Sequence, residues 1–255
     1  MEDIVIRYIE KPHLRNVIFI EGLPGVGNVG KLAVDHLIDE IKCKKFACIY
    51  SKYFPPQVLV KEDNLVHLVN NELYYWKSPK PDGNDLIFLC GDYQGLTPEG
   101  QYELSDRILR EVMQYDIKQI ITLGGYGHGE ILKEPRVLGA ANNKENLKML
   151  KNIGVICSSD TPGSGIVGAS GLLIGLGKLY GIKGLCLMGE TSGYFVDPKS
   201  AKALLEKLTI ILGIEVSYTE LENKAKQIEE ITRQLREMEK NKRTKTSSEN
   251  LSYIG

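Results

Sequence analysis

Nothing in the sequence favours charge of one sign. Its 32 lysines and arginines stand against 33 aspartates and glutamates, a formal net charge of -1. That balance argues against a nucleic-acid surface as the main function, because non-specific binding to phosphates rests on summed positive charge. Long apolar runs are missing too, and no stretch reaches membrane-spanning length. The amino terminus, Met1-Glu2-Asp3, carries no basic-then-apolar leader pattern. The expectation is a cytoplasmic protein with neither nucleic acid nor a membrane as partner. Cysteine is scarce: Cys43, Cys48, Cys90, Cys157 and Cys186 form an odd set without C-x-x-C spacing. They read as buried free thiols in a reducing compartment, with no metal site. What remains, 255 residues with 42% hydrophobic and 25% charged, is an ordinary globular composition, enough for one large α/β domain or two small ones.

Glycine, by contrast, is plentiful and concentrated at the ends of apolar runs. Val17 to Ile20 form a continuous β-branched and aromatic run, as expected for a strand buried on both faces. Gly22, Gly25, Gly27 and Gly30 follow, and from Asn28 onward Val29, Leu32, Ala33, Leu37 and Ile41 recur at helical spacing. The stretch therefore reads strand, glycine turn, helix, the architecture of a phosphate cradle. Gly25 to Gly30 fits the dinucleotide pattern G-x-G-x-x-G, but the following strand, Phe46 to Tyr50, ends in Ser51 and Lys52 where a ribose would want a carboxylate. With Lys31 the same residues give G-x-x-x-x-G-K, but Leu32 replaces the hydroxyl that would hold magnesium, which argues against nucleotide hydrolysis. The alternative is a tight βα turn that lets the helix pack closely.

Further along, Val58 to Val60, Leu65 to Val69 and Glu72 to Trp76 resemble an antiparallel hairpin pair. Leu86 to Cys90, Ile117 to Leu123 and Gly184 to Met188 are buried strands, each ending in glycine. Thr97-Pro98 and Asp197-Pro198 open helices. Ile166 to Tyr180 reads as a helix rich in small residues, suited to close packing against a neighbour. Alternating strands and helices predict an α/β fold with a largely parallel sheet flanked by helices. At its carboxyl edge Gly25, Gly27, Asn28, Gly30, Lys31, Gly125, His128, Glu130, Glu190 and Thr191 form a candidate ligand pocket, with Asp160 nearby. His128 and Glu130 are candidate acid and base, unless they only satisfy backbone groups in a crowded loop.

Six blocks carry a resemblance. They are Gly-Leu-Pro-Gly-Val-Gly-Asn-Val-Gly at 22 to 30, Phe-Pro-Pro at 54 to 56, Cys-Gly-Asp-Tyr-Gln at 90 to 94, Leu-Gly-Gly-Tyr-Gly-His-Gly-Glu at 123 to 130, Gly-Ala-Ser-Gly-Leu-Leu at 168 to 173 and Met-Gly-Glu-Thr-Ser-Gly at 188 to 193. In this order they resemble the archaeal PAC2-type proteasome assembly chaperone family. The resemblance implies a fold similar to purine nucleoside phosphorylases, no established catalysis and no cofactor. It also implies homo-oligomers, of this chain or with a paralogue, that bind the α-subunits of the 20S proteasome. The competing function is a nucleoside- or nucleotide-binding enzyme or sensor that uses the glycine-lined edge.

The carboxyl terminus changes character. Ile214, Leu221, Ile228 and Leu235 repeat at seven with Ile231 and Met238 interleaved, which suits either a short coiled-coil seam or an amphipathic helix packed on its own domain. The polar residues 239 to 250 then read as a tether. Leu251, Tyr253 and Ile254, followed by the Gly255 carboxylate, form an apolar aromatic end suited to another protein's pocket. The expected organisation is a PAC2-like α/β domain over 1–213, a C-terminal helix over 214–240 and a flexible tail over 241–255 carrying the docking motif. Proteasome activators end in a hydrophobic residue, a tyrosine and any residue; here Ser252 precedes Tyr253, and the tyrosine is third from the end.

Overall fold

The run that opens the glycine-rich stretch becomes strand β2, Val17–Glu21, buried at every residue. In the computed structural model, which describes residues 2–130, 132–157, 165–231 and 233, β2 lies at the middle of an eight-stranded sheet. Its neighbours are β7 (Leu86–Gly91) and β8 (Ile117–Gly127), both parallel to it. Strand β10 (Lys183–Thr191) extends the parallel set beyond β8, and β9 (Val137–Ala141) closes that edge antiparallel to β10. On the other side β6 (Asn71–Trp76), β3 (Lys44–Ser51) and β1 (Ile4–Tyr8) add three antiparallel pairings. The order is β1-β3-β6-β7-β2-β8-β10-β9.

The sheet is thus mixed, with a parallel centre between antiparallel wings, and the expected largely parallel sheet is corrected. The reason is local. The segment between β6 and β7 is too short for the crossover that a parallel pair needs, so the two must run antiparallel. The alternating burial of β6 fits such a strand. Of the expected hairpin pair the first forms, β4 (Val58–Val60) with β5 (Val66–Leu68) as a separate two-stranded antiparallel sheet, and the second is corrected, because β6 pairs with β3 and β7 in the main sheet rather than with β5.

Each central strand divides its side chains between two apolar cores. Ile18, Ile20, Leu86, Phe88 and Cys90 face helices α1 (Val29–Glu40) and α5 (Pro198–Leu212). Val17, Phe19, Ile87 and Leu89 face α2 (Pro98–Val112) and α4 (Ala169–Leu179). Helix α3 (Lys144–Asn152) packs beside β9. The caps expected from Thr97-Pro98 and Asp197-Pro198 form: Thr97 accepts from Gly100 N at 3.0 Å and Asp197 from Ser200 N at 2.9 Å. The small-residue helix starts at Ala169 rather than Ile166, because Gly168 is at φ +86. Its close neighbour includes the sheet itself, where a Cβ on Gly177 would meet Ile120 Cδ1 at 2.6 Å.

After α5 the chain crosses back over α1. His36 Nε2 lies 2.6 Å from the Ser217 carbonyl, and Glu40 accepts from Ser217 N at 3.2 Å. Residues 219–231 are helical, and the helix is tied to α5 by Lys202–Glu222 at 2.7 Å. Of the seven-residue repeat, Leu221 enters the domain core at 1% exposure, while Ile231 is 56% exposed. The first turns therefore pack on their own domain; Leu235 and Met238 lie outside the described residues, as does the tail. We expect Leu221→Ala to cost about 2–4 kcal/mol of unfolding free energy by urea titration, and Ile231→Ala less than about 0.5 kcal/mol.

Candidate functional site

The parallel strands deliver their carboxyl ends to one edge: Glu21-Gly22 from β2, Gly91-Asp92 from β7, Gly124 to Gly127 from β8 and Glu190-Thr191 from β10. The loop after β2 does not arch over an open cradle; it lies down on the sheet. Gly27, at φ +62, passes so close to β10 that a Cβ there would be 2.7 Å from Thr191 Oγ1. The Val26 carbonyl rests on Gly125, where a Cβ would come within 2.0 Å of it. A Cβ on Gly30, in the first turn of α1, would meet the Leu123 carbonyl at 2.2 Å. Asn28 takes the left-handed conformation at the helix N-cap without a side-chain cap bond. The Gly27 carbonyl accepts from Asp197 N at 2.9 Å, so the same loop also seats α5. At Gly27, Gly30 and Gly125 the loop and the start of α1 touch the sheet directly. Gly25 is the exception, since a Cβ there would meet nothing closer than Gln94 Nε2 at 4.0 Å.

The remaining expected residues are scattered. Lys31 pairs with Asp35 at 2.8 Å and lines a different space, a cleft of about 640 Å3 between α1 and the β4–β5 hairpin. There Lys45 meets Glu72 at 2.6 Å and His67 lies 3.6 Å from Asp92. His128 and Glu130 are both exposed, and no hydrogen bond between their side chains forms among the described residues; His128 N donates to the Thr191 carbonyl at 2.7 Å. Glu190 is buried and fully engaged. Arg136 holds it through Nε at 2.8 Å, Nη2 at 2.5 Å and its backbone N at 3.2 Å. Those bonds hold the Glu190 carboxyl below its ordinary range. The structure thus brings Gly27, Gly125 and Thr191 together and leaves Lys31, His128 and Glu130 apart. Asp160, Leu251, Tyr253, Ile254 and Gly255 lie outside the described residues.

Three residues that sequence reasoning passed over organise the edge. Glu21, the last residue of β2, is fully buried beside the start of α4, where it accepts from Leu23 N and from Ser170 Oγ, each at 2.9 Å. Burial pushes its carboxyl up to about 7, against the opposing effect of those bonds. Gln94 joins the glycine loop to α4, donating to the Pro24 carbonyl at 2.8 Å and accepting from Ala169 N at 2.9 Å. Arg136 is the third. Only Glu21 carried a sequence signal, an acid closing a run of otherwise apolar strand residues. Its side chain is sealed from solvent.

Beside the exposed His128 and Glu130, the edge also exposes the apolar Val26, Tyr194, Phe195 and Val196. Among the described residues no group of three His, Cys, Asp or Glu side chains is placed to hold a metal ion, and no helix is long and apolar enough to cross a membrane. The five cysteines are free thiols. Cys90 and Cys186 are buried, and Cys43, Cys48 and Cys157 only half-buried, which corrects the uniform burial expected. Burial pushes the Cys43 and Cys186 thiols up to about 12.

Comparison with known proteins adds to this geometry. A family model described as the PAC2 family matches residues 19–236. An uncharacterized protein of Methanocaldococcus jannaschii is 42% identical over 247 residues, 95% of this chain and 93% of that one. The crystal structure of Pyrococcus furiosus PbaB, an archaeal proteasome activator, is 44% identical with a TM-score of 0.89, covering 92% of this chain and 100% of that one. Pyrococcus furiosus PbaA, an archaeal homolog of proteasome-assembly chaperone, is 29% identical with a TM-score of 0.75, covering 98% and 99%. None of these matches supports the expected likeness to purine nucleoside phosphorylases.

Two outcomes follow from the edge. If the glycines serve packing, Gly30→Ala should destabilise the protein by roughly 3 kcal/mol or more, or prevent soluble expression, whereas Gly25→Ala should change the urea midpoint little. Glu21 should impose a pH slope. Its folded carboxyl titrates near 7 and the unfolded one near 4.5, so the folded state holds the extra proton between those values and stability falls as pH rises through the window. Glu21→Gln removes the slope; relative to wild type, its unfolding free energy should gain about 3 kcal/mol between pH 4 and pH 8.

Proposed function

This chain belongs to the PAC2 family, and from that premise we propose that it is a non-enzymatic proteasome assembly chaperone or activator-like factor that docks on the α-ring of the 20S proteasome. The observation that carries this reading is the match to the Pyrococcus furiosus proteasome activator, at 44% identity across 92% of this chain and the whole of that one. The filled glycine loop supports it from the other side. With the Val26 carbonyl seated on Gly125 and Lys31 paired with Asp35, the glycine loop and its lysine are engaged within the fold, which supports this reading over a nucleotide enzyme or sensor. The exposed apolar rim of Val26, Tyr194, Phe195 and Val196 also suits protein contact better than a small polar ligand.

In this reading the protein is cytoplasmic, forms a homo-oligomer or joins a paralogue, and contacts the α-subunits through Leu251, Tyr253, Ile254 and the Gly255 carboxylate. Several tails on one oligomer raise the effective concentration, so that individually weak insertions add to firm ring-to-ring binding. Tyr253 is the largest single contribution, because buried aromatic anchors dominate such contacts. Binding to purified 20S particles is to be compared for wild type, Tyr253→Ala and a chain ending at Glu249. We expect Tyr253→Ala to weaken binding at least about tenfold and the shortened chain to lose it. Equal binding by all three would move the contact to the globular domain.

A further inference from the structure

The β4–β5 hairpin reverses the usual sense of a half-buried ribbon. Its register pairs Val58 with Leu68, Leu59 with His67 and Val60 with Val66. The inward pair is Leu59 and His67. Leu59 packs with Phe54, Val69 and Leu104, while His67 Nε2 lies 3.1 Å from Asn70 Nδ2 and 3.6 Å from Asp92. The outward pairs are therefore four aliphatic side chains in two cross-strand rows. They are 48%, 49%, 66% and 71% exposed at Val58, Leu68, Val60 and Val66. Antiparallel ribbons ordinarily turn the apolar face to the core and the polar face to water. Here the inward face carries the imidazole and the outward one carries no polar side chain at all.

We propose that this outward face is the self-contact of the oligomer, meeting the same face of a second copy of the chain across a two-fold axis. One observation favours a second copy over another partner, and another shows that the patch suits an interface core. The first is charge: the turn beside the face bears Lys61, Glu62 and Asp63, a rim of both signs that a copy of itself can match, whereas a partner with a field of one sign would meet repulsion. The second is area. With Leu65 also exposed beside the turn, the apolar patch is on the order of 400 Å2. That is about half of the roughly 800 Å2 that each partner gives to a stable interface, a share suited to the interface core with the charged turn as its rim. A two-stranded ribbon is marginal alone, so covering its bare face also fixes the hairpin.

The inference rests on the oligomer proposed above and names the surface that makes it. The test uses the full chain. The mass of wild type, Val60→Glu/Val66→Glu and Val60→Lys/Val66→Lys is followed by sedimentation velocity from about 0.1 to 50 μM, with circular dichroism melts to verify folding. We expect wild type to assemble and each charged variant to dissociate with a constant raised at least about 100-fold. An equimolar mixture of the two variants should re-form the assembly, because opposite charges then face each other, and a misfolded protein would not do so. A wild type that stays monomeric overturns the oligomer and this surface together. An oligomeric wild type whose charged variants assemble equally well overturns the surface alone, as does a failure of the folded variants to recombine.

Discussion

Everything at the carboxyl edge depends on backbone meeting backbone. The loop after β2 is pressed onto β8 and β10 so closely that Gly125 and Gly30 have no room for a methyl group, and the Val26 and Leu123 carbonyls occupy the places where side chains would begin. That approach fixes the start of α1, and through α1 one of the two cores. Because the Gly27 carbonyl also receives Asp197 N, the first turn of α5 is registered against the same loop. Gln94 carries the constraint to the opposite layer, one end of its amide on Pro24 and the other on Ala169. The glycines here are contacts in themselves, chosen for the absence of a side chain rather than for freedom of the backbone.

This explains what was readable from residues alone. Buried strands and capped helices announce themselves through local patterns. Val17 to Ile20 and Leu86 to Cys90 are continuous apolar runs, and Thr97-Pro98 and Asp197-Pro198 place oxygen and ring where a first turn needs them. Strand direction is only partly local. The short connection sets β6 against β7, but β3 and β1 take their direction from which strand each meets in space. The site was the hardest part to read. G-x-G-x-x-G is equally the pattern of a loop that cradles a phosphate and of one that cradles its own sheet, and only the position of the Val26 carbonyl separates the two. Glu21 and Gln94 act through partners 149 and 75 residues away in sequence, Ser170 and Ala169, a relation that spacing does not carry.

The molecule separates rigidity from recognition. Several groups with chemical capacity are engaged internally: Glu190 by Arg136, Lys31 by Asp35, Glu21 by Leu23 and Ser170. Apolar side chains are left exposed at the loop of Tyr194 to Val196 and on the β4–β5 ribbon. Such a division suits a protein whose partners are other proteins, because water is displaced readily from aliphatic and aromatic side chains while the interior stays fixed in shape.

The place of β2 in the sheet has a consequence for synthesis. Ile18 pairs with Leu86 on one side and Gln119 on the other, and Val17 with Ile117, all on strands made much later. This fully buried strand is made before either neighbour, and relative to β8 it waits through the making of α1, the ribbon and α2. Parallel pairings of such long range close slowly and leave sticky intermediates exposed meanwhile. Until β7 and β8 are made, the future centre of the sheet has no strand beside it.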